Sequence, residues 1–308
     1  MRSLVGYTGF VGGNLLRSGY FDFKYNSKNI EDSYATKPDI LFFSGLRAEK
    51  FLANTDPEAD RALVEAAAAN IERIEPKSIV LISTADVYKS PAGVDEDTPV
   101  DIQGLHPYGL NRYSLEEYVK SRYSDHLIVR LPGLFGEGIK KNFIYDMIHY
   151  IPTLLSEEKL RQLGFINLSQ YYERQDNGFY RLKSVDAAER EALKGFFKKA
   201  GFSALNFTDS RARFQFYDLA DLYNHIEVAR GHGIRLLNLA TEPCEAGELY
   251  SYIFGESFIN ELNGVPSDYD MRSIHANTLG GANGYFLDRA SVKVRIKDFV
   301  IENIKISG

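Results

Sequence analysis

The stretch Ser3-Leu4-Val5-Gly6-Tyr7-Thr8-Gly9-Phe10-Val11-Gly12-Gly13-Asn14 decides how this 308-residue chain reads. The start of a buried strand runs into glycines spaced three apart, and Phe10, Val11, Leu15 and Leu16 then recur as one apolar helix face. Strand, tight turn and helix make an anion cradle. Gly6 lets the strand turn sharply, Gly9 lets backbone amides approach a pyrophosphate, and Gly12 lets the helix pack close with its positive end toward the anion. Thr8, Phe10 and Val11 lie in the same loop and first turn, and are expected to contact the ligand with the three glycines. The pattern is Gly-x-x-Gly-x-x-Gly and not the commonest Gly-x-Gly-x-x-Gly, so an ordinary glycine-rich turn is a second reading. Its place at the first strand-to-helix junction favours a dinucleotide.

Working outward, short apolar runs alternate with helical patterns, as in successive βα units of a parallel sheet. Strands are expected at Leu4-Val5, Phe21 to Tyr25, Asp39 to Phe43, Ser78 to Ser83 and His126 to Leu131. The clearest helix begins at Asp56-Pro57 and carries Leu63, Val64, Ala67, Ala68, Ile71 and Ile74 as its apolar stripe. From Leu155 to Leu205 the chain turns charged, helical and aromatic without a convincing strand pattern, which predicts a helical insertion; Tyr171-Tyr172 and Phe179-Tyr180 read there as packing. Strand signals return at Phe214 to Tyr217 and at Leu236 to Leu239.

The expectation is a doubly wound α/β protein. Residues 1–135 with about 214–243 form the dinucleotide-binding domain, and about 136–213 with 244–308 form a smaller, mainly helical substrate-binding lobe. A net charge of −6 with scattered basic residues argues against a nucleic-acid face. No apolar run approaches membrane-spanning length, and the chain reads as cytoplasmic. Cys244 is the only cysteine, so it has no disulfide partner within the chain and reads as packing. The six histidines show no paired-ligand spacing, and no metal is expected.

Two further motifs carry chemistry. The strand Ile79 to Ile82 ends in Ser83-Thr84-Ala85-Asp86-Val87-Tyr88, which places hydroxyls and a carboxylate at the carboxyl end of a central strand, where α/β sheets bind ligands. Tyr108-Gly109-Leu110-Asn111-Arg112 follows.

Together with the glycine loop these segments resemble the extended short-chain dehydrogenase/reductases, the NAD-dependent epimerase/dehydratase group, and within it the dTDP-4-dehydrorhamnose reductase branch. Ser83 to Tyr88 looks like the family's Ser-Thr-x-x-Val-Tyr strand end, and Tyr108 to Arg112 occupies its Tyr-x-x-x-Lys element. Val129 to Gly136 matches the segment that closes over the nicotinamide, which implies cofactor contacts at Pro132 and Leu134. Arg213 to Asp221 looks like its Arg-x-Phe-x-x-x-Asp-Leu block.

The resemblance implies NAD(P)-dependent redox chemistry or epimerisation on a nucleotide-linked sugar in a homodimer built on the Tyr108 helix. Tyr108 would exchange a proton at the substrate oxygen that Thr84 holds. Lowering a phenol from about 10 to about 7 requires about 4 kcal/mol of preferential phenolate stabilisation, which the family's lysine supplies. Here that position is Arg112, a bulkier and planar cation. The exchange keeps open a catalytically silent dinucleotide-binding protein, for which Tyr108 and Arg112 are one turn of an ordinary helix. Asp86 reads either as an auxiliary acid or base or as a capping aspartate. Asn142 and Arg213 fall where relatives contact a sugar nucleotide, Arg272 is a third candidate, and all three also read as ordinary surface or ion-paired residues. After the second strand Asn26-Ser27-Lys28 supplies no acid, which leans toward NADP over NAD.

Overall fold

The computed structural model describes residues 1–307. Its centre is a six-stranded, wholly parallel sheet: β1 (Arg2–Val5), β2 (Phe23–Tyr25), β3 (Ile40–Phe43), β4 (Ile79–Thr84), β5 (His126–Leu131) and β6 (Leu236–Asn238), in the order β2-β1-β3-β4-β5-β6. The chain steps outward from β1 to β2 and then reverses to β3, so the order changes direction beside β1. In open α/β sheets ligands sit at such a reversal, beyond the carboxyl ends of the strands. The sheet stops at the three-residue β2, an edge trimmed to one strand.

Continuous apolar runs suit strands covered on both faces. Ile40 and Phe42 point into one core with Leu4, Val80, Val129 and the helices α1 (Phe10–Ser18) and α5 (Leu222–Gly231). Leu41 and Phe43 point into the other, against α3 (Pro57–Ile74) and α4 (Pro107–Arg122). A short helix, α2 (Lys50–Thr55), precedes α3. Asp56 accepts from the Ala59 amide and Pro57 fills the first turn, as the sequence requires. The stripe differs from its sequence reading at one position. Leu63 is 48% exposed, whereas Asp60, one turn before Val64, is buried.

A charged network lies inside this layer. Arg130 of β5 forks onto Glu116 of α4 (Nε to Oε1 3.0 Å) and donates from Nη1 to the Tyr88 hydroxyl at 2.7 Å, while Ser83 donates to Glu116 Oε1 at 2.5 Å. Arg130 and Glu116 are both essentially inaccessible to solvent. Each charge therefore relies on the other, and the pair fixes α4 against the ends of β4 and β5.

By its contacts the chain forms two units, 1–139 with 213–244 and 267–295, and 140–212 with 245–266 and 296–308. Residues 267–295, expected with the substrate lobe, belong to the first unit. The buried Gln215 side chain donates to Met271 O at 2.7 Å and accepts from Met271 N at 2.8 Å. Glu96 accepts from Ser273 Oγ and from Ile274 N, at 2.6 and 2.9 Å.

In the second unit the insertion is not wholly helical. Leu154–Ser156, Tyr172–Arg174 and Phe179–Leu182 form an antiparallel sheet with Phe179–Leu182 in the middle, packed with the helices Glu157–Leu168 and Ala187–Lys199. The strands are only three or four residues long, too short to show alternation, but Asn177-Gly178 between them is a hairpin turn signal, and Gly178 takes φ +80°. Tyr172 is buried in this unit's core and donates to Pro152 O at 2.6 Å.

Asp146, in the helix Phe143–Ile148 of the second unit, is pushed by burial from 3.8 up to about 7. The folded chain therefore keeps a proton that the unfolded chain releases between about pH 4 and pH 7, so this carboxyl weakens the fold progressively as pH rises through that window. Asp146→Asn is expected to gain stability over the parent by about 2–4 kcal/mol between pH 4 and pH 8, read as a growing separation of urea midpoints.

Candidate functional site

The turn after β1 is built from close backbone approaches. Gly6 takes φ +93°, and a Cβ there would lie 2.5 Å from Ser44 O. At Gly12 a Cβ would lie 2.2 Å from Gly6 O, so α1 packs onto the turn only because both residues lack side chains. Gly9 caps α1 without a side-chain bond, and the first turn of α1 carries no acidic residue. Thr8 and Gly9 are exposed, while Tyr7, Phe10 and Val11 lean against the core. The turn thus offers uncapped helix amides to solvent, the arrangement that takes a phosphate.

Beyond β2, Asn26 Oδ1 accepts from Lys28 N at 2.9 Å and Asn29 Oδ1 accepts from Asn26 N at 2.8 Å. That turn leaves Ser27 and Lys28 exposed. Pro132 and Leu134 follow β5 and are half-buried; the strand Gly133–Phe135 pairs with Phe216–Asp218.

Two strands along from β1, the end of β4 meets the first turn of α4. Thr84 Oγ1 accepts from Asp86 N at 3.1 Å and lies beside the Tyr108 phenol. The approach is so close that a Cβ on Gly109 would lie 2.1 Å from Asp86 O. Asn54 of α2 accepts from Tyr108 N at 3.0 Å, and His106 Nδ1 accepts from Gly109 N at 3.0 Å. Helix α4 therefore starts where its neighbours pin it.

Arg112 divides its donors between other partners and the Tyr108 ring. Its Nη1 is ion-paired with buried Asp60, its Nη2 donates to Arg47 O at 2.7 Å, and its guanidinium lies 4.0 Å over the face of the Tyr108 ring. Burial dominates and pushes the Tyr108 phenol above its ordinary value; the Arg112 charge and Thr84 oppose the shift, and the charge of Asp86 adds to it. The shift leaves the Tyr108 phenol protonated at neutral pH.

Three further side chains complete this corner. Asp86 Oδ1 accepts from Lys50 Nζ at 2.8 Å and from the Tyr269 hydroxyl at 3.0 Å. Burial, with the Asp86 charge and bond, holds Tyr269 well above the usual phenol range. Burial and the Lys50 charge lower His106, against the pull of Asp86. Lys50 lies outside every motif and gave no signal in the sequence. The Asp60 contact was readable in principle, as a carboxylate at a stripe position one turn before Val64.

Of the expected substrate anchors, Arg213 pairs with Asp268 at 3.0 Å and reaches Asp270 Oδ2 at 3.8 Å, while Arg272 reaches the same oxygen at 3.6 Å. The two guanidinium groups thus share one carboxylate. Asn142 belongs to the second unit, where it takes φ +105° and its Oδ1 caps a helix by accepting from Ile144 N and Tyr145 N at 3.0 and 3.2 Å. Among the described residues no cluster has the makings of a metal site, and no helix is long and apolar enough to cross a membrane.

No protein-family description matches the chain, and no curated protein matches its sequence. Solved structures do match its course. The dTDP-4-dehydrorhamnose reductase of Bacillus anthracis, solved with NADP, superposes with a TM-score of 0.63 at 16% identity over 98% of this chain and 97% of its own. RMD of Pseudomonas aeruginosa, solved with NADPH, gives 0.65 at 14% identity over 100% and 99%. The chain has the fold of both structures. UDP-glucose 4-epimerase of Thermotoga maritima, solved with UDP-glucose, shares it with a TM-score of 0.62 at 14% identity over 100% and 99%. Likeness at this identity is one of fold, and it spans the whole length.

Removing the Arg112 cation leaves Asp60 as an uncompensated buried charge. Arg112→Met is expected to destabilise the chain by about 3–5 kcal/mol, and the double substitution Asp60→Leu/Arg112→Met to recover most of that loss, read by a urea-unfolding double-mutant cycle.

Proposed function

We propose that the chain is an NAD(P)-dependent oxidoreductase or epimerase acting on a nucleotide-linked sugar. The observation that carries this reading is the placement of the Thr84–Tyr108 pair two strands from the glycine turn, at the same end of one sheet. Two strand spacings are about 10 Å, a span within reach of a dinucleotide lying over the strand ends. The relatives in fold include a reductase solved with NADP and an epimerase solved with UDP-glucose, which supports the same kind of chemistry.

The open turn fits a dinucleotide diphosphate: Gly6, Gly9 and Gly12 clear the space, and Thr8, Phe10 and Val11 border it. Pro132 and Leu134 would bound the nicotinamide. When bound, that group supplies or removes a hydride. The chain's own part is proton transfer and positioning. Thr84 and Tyr108 hold the substrate oxygen, and a phenol kept protonated by burial gives its proton to the oxygen as negative charge develops there, which favours the reducing direction. Arg213 and Arg272 are proposed to meet the sugar nucleotide's diphosphate by exchanging part of their hold on Asp270. A homodimer built on α4 belongs to the same proposal. Ser27 and Lys28 favour NADP over NAD, since an exposed ammonium suits the extra phosphate.

One observation favours a second reading. Arg112 is occupied by Asp60, as it would be in a catalytically silent dinucleotide-binding protein.

Turnover decides between the two. Against a panel of oxidised nucleotide sugars, NADPH consumption by the parent and a fall of about 10²–10⁴-fold in Tyr108→Phe are expected, with cofactor affinity unchanged. Parent, Tyr108→Phe and Arg112→Lys all binding cofactor without turnover would establish the silent reading. Lys28→Ala is expected to weaken NADPH about fivefold and to leave NADH unaffected, measured by titration of cofactor fluorescence.

A further inference from the structure

Arg213, Asp268, Asp270 and Arg272, all of the first unit, gather two positive and two negative charges in one patch, and the charges cancel. The backbone beneath them is tied down. Arg213 N donates to Ser267 O at 2.9 Å, Asp270 N to Pro91 O at 2.8 Å and Arg272 N to Val94 O at 2.7 Å. The side chains meet at one atom: Asp270 Oδ2 lies 3.8 Å from Arg213 Nη2 and 3.6 Å from Arg272 Nη2, while the Tyr285 hydroxyl donates to Oδ1 and so turns Oδ2 toward both guanidinium groups. Both contacts to Oδ2 are longer than hydrogen bonds, so Asp270 acts on the pair through its charge. Asp268, 3.0 Å from Arg213, is 49% exposed and screened by water, whereas the Asp270 side chain is only 16% exposed and keeps its field.

We propose that Asp270 is a specificity residue, a fixed negative charge that makes the Arg213–Arg272 pair prefer the diphosphate of a nucleotide-linked sugar over a free nucleoside diphosphate. This rests on the reading of Arg213 and Arg272 as the groups that meet that diphosphate. Esterified at both ends, the diphosphate of a nucleotide sugar carries two charges, one for each guanidinium. A free nucleoside diphosphate ends in a phosphate whose second ionisation falls near pH 6, at about the value for a phosphate monoester, so at neutral pH it brings a third. Two arginines match two charges, and the third meets Asp270. Within about 10 Å, at an effective dielectric constant of about 20 and with some screening by salt, one further like charge weakens binding about tenfold. Without the carboxylate the same pair would favour the more highly charged nucleotide, and the substrate would compete poorly for its own site. Tyr285 is a positioning residue, because its bond to Oδ1 keeps the charge in place when a ligand arrives.

The test titrates the full-length protein calorimetrically at pH 7.5 and fixed ionic strength, with saturating NADP⁺ to occupy the glycine turn. The probes are three pairs, UDP-glucose and UDP, dTDP-glucose and dTDP, GDP-mannose and GDP. For at least one pair the parent is expected to bind the sugar nucleotide as tightly as the free diphosphate or more tightly. Asp270→Asn is expected to shift that ratio about tenfold toward the free diphosphate, Asp270→Glu to keep the parent's ratio, and Tyr285→Phe to shift it about threefold. A structural role alone would weaken both members of a pair alike. A parent that binds every free diphosphate more than tenfold tighter than its sugar nucleotide overturns the inference, as does an unchanged ratio in Asp270→Asn; the anchor reading then stands if Arg213→Met and Arg272→Met weaken both members of a pair. Affinities that ignore both arginine substitutions, or no binding of any probe, overturn the anchor reading and this inference with it.

Discussion

The direct packing of the first turn of α4 onto the backbone after β4 is the contact on which the site depends. A methyl group's worth of space is missing at Gly109, so the helix cannot stand off from Asp86 without breaking its cap at His106 and the Asn54 bond to Tyr108. Once it is seated, Thr84, Asp86 and Tyr108 have almost no freedom left. The buried Glu116–Arg130 pair, two turns along the helix, holds the same seat from the other end, because a shift of α4 would separate charges with no access to water.

This seating accommodates arginine where the resemblance leads one to expect lysine. A guanidinium has several donors, and here they go to Asp60 and Arg47 O while its plane lies on the Tyr108 ring. Its charge is thereby matched at the root of α3, not at the phenol oxygen. The more exposed cation of this corner is Lys50, 42% exposed and attached to a different acid. The electrostatic logic of the corner is then two matched pairs flanking a neutral phenol.

Much of the fold was legible. The strand cores at β3, β4 and β5 announced themselves through continuous apolar runs, and α3 through its cap, proline and stripe. Local glycine geometry was legible too, since strand, turn and helix follow each other within fourteen residues. What escaped depends on contacts across the sequence. Leu63 fits an apolar stripe by period but faces water, and Asp60 occupies the buried position because Arg112, 52 residues away, neutralises it. The small sheet in the second unit escaped because its strands are too short for a period to register. Residues 267–295 fall with the first unit because Gln215 and Glu96 bind their backbone through single side chains that leave no pattern. Lys50 and Tyr269 belong to the same class, invisible until the fold brings them to Asp86.

The two buried ion pairs of α4 differ in how much chain they enclose. Glu116 and Arg130 are 14 residues apart, a short loop whose closure entropy is small, whereas Arg112 and Asp60 are separated by 52 residues. Closing the wider loop costs about 1 kcal/mol more in chain entropy, so the end of α4 that carries Tyr108 is held by the contact that is harder to close.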